Sequence, residues 1–188
     1  VFSRQNSLYW VSFRSAATPL VLFLGMAAFL CKGLYLDPSA LPSALIDKPF
    51  PNFSLQSVQD NRSLTRADLL GKPALVNVWG TWCVACRAEH PVLNKLAQQG
   101  VVIHGVNYKD VNFDALNWLK DFHDPYQLNI RDEAGSLGLN LGVYGAPETF
   151  LVDSKGIIRY KHVGVIDETV WREQLADLYQ GLVQEGTQ

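Results

Sequence analysis

The sequence predicts an α/β fold, a mixed β-sheet flanked by helices, and three stretches carry the prediction. Ala74 to Trp79 is an apolar, β-branched run that reads as a buried strand. It ends at Gly80-Thr81, and Cys83-Val84-Ala85-Cys86 then opens a helical pattern that runs to Gln99. Val101 to Asn107 is the next strand and completes a βαβ half. Glu148 to Asp153 and Ile157 to Val163 form a hairpin across Ser154-Lys155-Gly156, and Glu168 to Leu182 is a closing helix. That order gives a mixed sheet of about four or five strands with helices on both faces.

The N-terminal part is built differently. Val1 to Ser15 is polar and mixed and carries Arg4 and Arg14. Ala16 to Leu36 is almost wholly apolar: from Ala16 to Cys31 nothing is more polar than Thr18, and Lys32 is the only charge. As a helix the stretch reaches about 30 Å, the thickness of a bilayer core, with Lys32 near its end and able to snorkel. A cleaved signal peptide, a lipoprotein signal and a buried core helix compete with this reading. A signal segment ends in a small-x-small site. Here Pro38-Ser39-Ala40 and Pro42-Ser43-Ala44 put Pro in the outer position, and Cys31 follows Leu30 rather than a small residue. The expectation is an uncleaved transmembrane anchor over 16–36, with Cys31 as inert packing. Two Arg before the span and one Lys at its close place residues 1–15 in the cytoplasm and the remainder outside. Residues 37–47, with Pro38 and Pro42, read as a linker, and 48–188 as the globular domain.

Within that domain Pro49 to Leu55 alternates as a strand would. Ser63 to Pro73 is expected as a short helix stopped by Gly71 and Pro73. Pro91 removes a backbone donor from the helix that starts at Cys83 and should kink it after two turns. Asn112 to His123 is amphipathic, with Phe113, Leu116, Leu119 and Phe122 on one face, and Asp124-Pro125 breaks it. Gln127 to Arg131 is a short strand. The closing helix is expected to turn Val170, Trp171, Leu175 and Leu178 inward.

The CxxC carries the chemistry. Cys83 stands where a helix begins, so unpaired N–H groups and the positive helix end face its sulfur. Both favour thiolate over thiol and lower the thiol pKa from about 8.5 towards roughly 3.5–7.5. Cys86 follows by nearly one turn and is within disulfide reach. The competing reading is half of a zinc site, which needs two more Cys or His ligands. Cys31 lies in the apolar segment, and His90, His104, His123 and His162 are scattered singly. The expectation is a redox-active Cys83–Cys86 disulfide with no metal or other cofactor. Of the net charge of −2, residues 1–36 hold +3 and the remainder −5. An acidic domain without a Lys/Arg cluster argues against nucleic acid as a partner.

A second constellation, Gly142-Val143-Tyr144-Gly145-Ala146-Pro147-Glu148-Thr149-Phe150, precedes the hairpin. Pro147 just before a strand is a candidate cis-Pro turn; an ordinary trans Pro opening an edge strand is the alternative.

Leu75 to Pro91 (LVNVWGTWCVACRAEHP) resembles the DsbE/CcmG thiol–disulfide oxidoreductases of bacterial cytochrome c maturation, a thioredoxin-like family. Gly105 to Asp110, Leu139 to Phe150 (LNLGVYGAPETF), Gly156 to Tyr160, Ser43 to Pro49 and the N-terminal anchor fit as well. The resemblance covers residues 16–182 and implies a thioredoxin-like fold behind a single transmembrane helix. It implies a reductant in the periplasm, held at the inner membrane, that keeps the CxxCH cysteines of apocytochrome c reduced. It would do so directly or through another maturation thiol protein, and be recharged by a membrane donor of the DsbD/CcdA type. By that likeness Cys83 is the nucleophile, Cys86 the resolving thiol, and Pro147 the cis-Pro that faces the disulfide.

Glu89 matches an acidic residue of this branch. It stands three residues past Cys86, on the same helix face, and is the expected proton acceptor for Cys86; the alternative is a solvated surface charge. Glu148 is a second candidate acid. Trp82 and Tyr144 are expected to flank the exposed sulfur of Cys83, with Gly145, Ala146, Glu148 and Thr149 in the groove that takes a substrate. Two residues depart from wider thioredoxin patterns: Val84-Ala85 lacks the Pro often found between the cysteines, and Asn77 replaces a buried Asp. A general periplasmic disulfide reductase or oxidant, and a non-catalytic apocytochrome-binding module, are the rival functions. A peroxidase would want Thr where Gly80 stands.

Overall fold

The computed structural model describes residues 5–34 and 44–186. The chain divides into two compact units, Val1–Ala40 and Leu41–Gln188. In the first, helix α1 (Gln5–Leu34) runs through Pro19. Tyr35, Leu36 and the linker up to Ser43 lie outside the described residues. Among the described residues no helix is long and apolar enough to cross a membrane. Cys31, expected as packing, is exposed on α1.

The second unit holds a seven-stranded sheet rather than four or five strands. Its order is β2-β1-β5-β4-β3-β6-β7, with β1 Ser54–Ser57, β2 Ser63–Thr65, β3 Ala74–Trp79, β4 Ile103–Tyr108, β5 Leu128–Asp132, β6 Glu148–Val152 and β7 Ile158–Val163. The β3, β4 and β5 strands are parallel, and β6 runs antiparallel to β3. The extra strands come from residues 54–65, a hairpin that adds to β5 antiparallel. The strand expected over Pro49–Leu55 starts later, and Pro49 makes only an isolated bridge to Ile157. The helix expected from Ser63 shrinks to a 3-10 turn, Arg66–Leu69. Ser63-Leu64-Thr65 alternates exposed, buried, exposed, so it serves the sheet, and Gly71 and Pro73 leave no room for a longer helix.

Helix α2 (Val84–Gln98) packs on one face of the sheet. Leu93 and Leu96 join Leu75, Trp79, Ile103, Leu119 and Leu151 there, each such side chain contributing about 1.5–3 kcal/mol by leaving water. The helix continues through Pro91 to Gln98. Pro91 and Arg87 are both exposed, so water can take the carbonyl that Pro91 leaves without a donor. The opposite face carries Val76, Val78, Val106, Ile130, Phe150 and Val152.

Two helices are rotated from expectation. In α3 (Asn112–Phe122) Ala115 and Leu119 are buried while Phe113 is 71% exposed. The Trp118 ring packs 4.8 Å from Trp79 and 4.2 Å from His90, which turns the 115/118/119/122 stripe inward instead. The closing segment is α5 (Glu168–Val170), a π-helical stretch (Trp171–Leu175) and α6 (Ala176–Glu185). The wider π turn shifts the helical phase. Tyr179 therefore takes the inward place expected for Leu178, and its hydroxyl accepts the Val102 N–H at 2.9 Å. A short helix that was not expected, α4 (Ser136–Asn140), follows β5.

Candidate active site

The site begins at the C-terminal end of β3, where parallel strands deliver side chains and α2 begins. Cys83 is the N-cap of α2, and its Sγ accepts the Cys86 N–H at 3.0 Å. Cys83 and Cys86 form a disulfide, and Cys83, expected to be exposed, is buried like Cys86, packed in the cluster of Trp79 and Leu93. Among the described residues no cluster of ligating side chains could hold a metal ion.

The loop before Cys83 is held from outside the motif. Asp110 accepts the Thr81 N–H and hydroxyl, each at 2.7 Å, and the Asn107 amide at 2.8 Å. Trp82 is half exposed and donates its Nε1–H to the Tyr108 carbonyl. Asp110 is a site-shaping residue to which the sequence assigned no role, although it closes the Gly105 to Asp110 run that fits the family.

Across from the sulfur lies the loop that ends in Pro147. The Ala146–Pro147 bond is cis, and β6, which follows it, is an interior strand rather than an edge. The Ala146 carbonyl oxygen stands 3.3 Å from Cys83 Sγ, where a reduced thiol can donate to it. Tyr144 is exposed, and Gly145 and Ala146 are half-buried. Glu148 and Thr149, expected in the groove, are both turned away from it. Thr149 is fully buried within the sheet between β3 and β7. Glu148 is 1% exposed, accepts the Tyr144 and Gly145 N–H groups through Oε1, and pairs with Lys161 Nζ at 2.8 Å through Oε2.

Glu89 is not a solvated charge: it is fully buried. Its Oε1 accepts the Ile166 N–H at 2.8 Å and its Oε2 the Asn77 amide at 3.0 Å. Burial pushes its carboxyl up to about 7, against the lowering effect of those two donors. Asn77 also donates to Thr149 Oγ1, and its Oδ1 accepts the Tyr126 hydroxyl at 2.9 Å. Burial, with Glu89 and Asp124 behind it, holds the Tyr126 phenol well above its ordinary range. Asn77, which stands where wider thioredoxins have a buried Asp, is thus the hub that orients Glu89. His90 is buried with Nε2 2.7 Å from the His123 carbonyl, and burial lowers its pKa.

A dithiol on a strand–helix junction, capped by helix N–H groups and faced by a cis-Pro loop, defines a thioredoxin-fold thiol–disulfide oxidoreductase. The comparisons with known proteins agree. Residues 46–181 match the Redoxin family. The chain is 68% identical over 167 residues to the thiol:disulfide interchange protein DsbE of Pseudomonas fluorescens biotype C, covering 89% of this chain and 94% of that one. It is 49% identical over 177 residues to DsbE of Escherichia coli K12, covering 90% and 96%. Among solved structures, a thio-disulfide isomerase from Thermus thermophilus superposes with a TM-score of 0.61 at 26% identity, covering 73% of this chain and 96% of that one. This chain belongs to the Redoxin family and to the DsbE thiol:disulfide interchange proteins.

Proposed function

We propose that the chain is a reductant of the periplasm that keeps the CxxCH cysteines of apocytochrome c reduced during cytochrome c biogenesis. The observation that carries this reading is the Ala146 carbonyl 3.3 Å from Cys83 Sγ, in a site whose Trp82 and Tyr144 side chains are exposed. An extended peptide with a disulfide can lie along that loop and meet the sulfur. The likeness to DsbE proteins supports the choice of substrate.

The Cys83 thiolate, stabilised by the Cys86 N–H and the helix end, attacks one sulfur of the substrate disulfide. That S–S bond breaks, the second substrate sulfur leaves as thiolate, and a mixed disulfide forms. Cys86 then gives up its proton and attacks Cys83 Sγ. The Cys83–Cys86 bond closes and the first substrate sulfur leaves, so two electrons pass to the substrate. Glu89, one turn further along α2 and poised near neutrality, accepts the Cys86 proton. Pro147 presents the Ala146 carbonyl, and Trp82, Tyr144, Gly145 and Ala146 form the landing surface. Glu148 serves the substrate through the loop it holds. A membrane donor of the DsbD/CcdA type restores the dithiol, and another maturation thiol protein can stand between this chain and apocytochrome c.

Residues 16–36 tether the chain to the inner membrane, with 1–15 in the cytoplasm, 37–47 as linker and 48–188 in the periplasm. The uncharged run from Ala16 to Cys31 supports this. Five successive exposed apolar residues, Leu20 to Leu24, also point in every direction around α1. Protease added to spheroplasts should digest the domain; its protection would contradict the topology.

The test of function is complementation. In a bacterium deprived of its own reductant of this class, the wild type should restore haem-stained c-type cytochromes and a Cys83→Ser, Cys86→Ser variant should not. Restoration by the double variant would favour a binding module. Equal rates on CxxCH peptides and unrelated protein disulfides would favour a general reductase.

A further inference from the structure

Lys161 has no part in the mechanism above, yet its placement is unusual. It stands on β7, an edge strand, where long cations ordinarily reach for water. Its side chain is instead only 7% exposed and turns inward under the loop that faces the disulfide. Nζ lies 2.8 Å from Glu148 Oε2 and donates to the Gly142 carbonyl at 3.0 Å. The Tyr144 and Phe150 rings each have their centroid 5.2 Å from it. Glu148 in turn accepts the N–H groups of Tyr144 and Gly145. One buried ion pair therefore ties the loop at its first residue, Gly142, and at two residues in its middle, while Glu148 closes its end.

We propose that Lys161 is a positioning residue for exchange with protein substrates. It fixes the Gly142–Pro147 loop, and with it the Tyr144 ring and the Ala146 carbonyl. These are the groups a peptide must seat against while Cys83 attacks. The sulfur itself is held by α2, through the Cys86 N–H, and does not depend on Lys161. A small disulfide needs only the sulfur; a peptide needs the loop as well, and a loop displaced by about 1 Å costs an oriented reaction heavily. Loss of the ammonium also leaves the Glu148 carboxyl buried without a cation, which favours its escape towards water and frees two N–H groups of the loop.

The inference takes the CxxCH peptide as probe from the proposed function. The experiment compares second-order rates of the reduced full chain with an oxidised CxxCH peptide and with hydroxyethyl disulfide. Lys161→Met should lower the peptide rate by roughly 10-fold or more relative to the hydroxyethyl disulfide rate. Lys161→Arg, which keeps the charge, should recover most of that preference. A peptide preference that survives Lys161→Met overturns the positioning role. If that variant does not fold, the Glu148→Gln, Lys161→Met pair, which buries no charge, takes its place, and an unchanged preference there overturns the role equally. A wild type that shows no preference for the peptide overturns the substrate reading instead.

Discussion

Glu89 and Glu148 are both buried carboxylates, and the fold treats them in opposite ways. Glu89 lies on the α2 side of the sheet, held by an amide and a backbone N–H, with no cation against it among the described residues. Glu148 lies on the other side, beside the Lys161 ammonium and two N–H groups of the cis-Pro loop. A carboxyl with dipoles alone in a dry site is pushed up to a pKa of about 7 and can exchange a proton at neutral pH. One with a cation against it makes a bridge and shapes a loop. The acid on the helix is therefore suited to proton transfer, and the acid on the strand to holding the surface on which a substrate lands.

The largest effects come from the two sulfurs. Cys83→Ser should abolish exchange, and Cys86→Ser should trap a mixed disulfide with the substrate. Non-reducing gels after reaction with an oxidised CxxCH peptide check this, and equal trapping by both variants would rule out the assigned order.

Next comes the Glu89 side. Asn77→Asp sets a second carboxyl 3.0 Å from Glu89 in place of a donor. At pH 8 that should cost about 3–5 kcal/mol, the scale of an uncompensated buried charge, and less at pH 5, as urea unfolding would show. A loss equal at both pH values would mean that charge is not the cause.

A smaller effect lies in the pH dependence itself. Folded Glu89 keeps its proton to about pH 7, whereas its ordinary value is 4.5. Between these the unfolded chain binds fewer protons, so stability falls as pH rises, by at most about 3 kcal/mol for this group. Glu89→Gln should flatten that slope, although Gln offers only one acceptor to two donors and is less stable at low pH. Removing the negative neighbour should also lower the pKa of at least one cysteine and make the disulfide more oxidising. Superimposable stability and thiolate titration curves for the two proteins would return Glu89 to a passive role. The smallest effect is that of Tyr126→Phe, which removes the donor to Asn77 Oδ1 and should cost about 1–2 kcal/mol with exchange retained.

The comparison also marks what can be read from sequence. The strand Ala74–Trp79, the CxxC helix and the β6–β7 hairpin were legible because periodicity and spacing are local. Glu89 was legible as a candidate from the family resemblance and its place one turn past Cys86, but its burial was not. That depends on Ile166, brought in from 77 residues away. The roles of Lys161 and Asp110 were not legible: an edge-strand lysine and an acid after a strand look like surface until the loops they hold are in view. The α3 face was misread because Trp118 prefers Trp79 and His90, a choice set by tertiary contact. The inward place of Tyr179 depends on a π turn for which the sequence offers no sign.

The most direct test is the ionisation of Glu89 itself, followed by isotope-edited infrared or carbon NMR of glutamate carboxyls in the oxidised protein, with Glu89→Gln to assign the signal. The expected midpoint lies near pH 7. A Glu89 carboxyl that titrates near its ordinary value of 4.5 would contradict its role as proton acceptor, because so weak a base cannot hold the Cys86 proton at neutral pH.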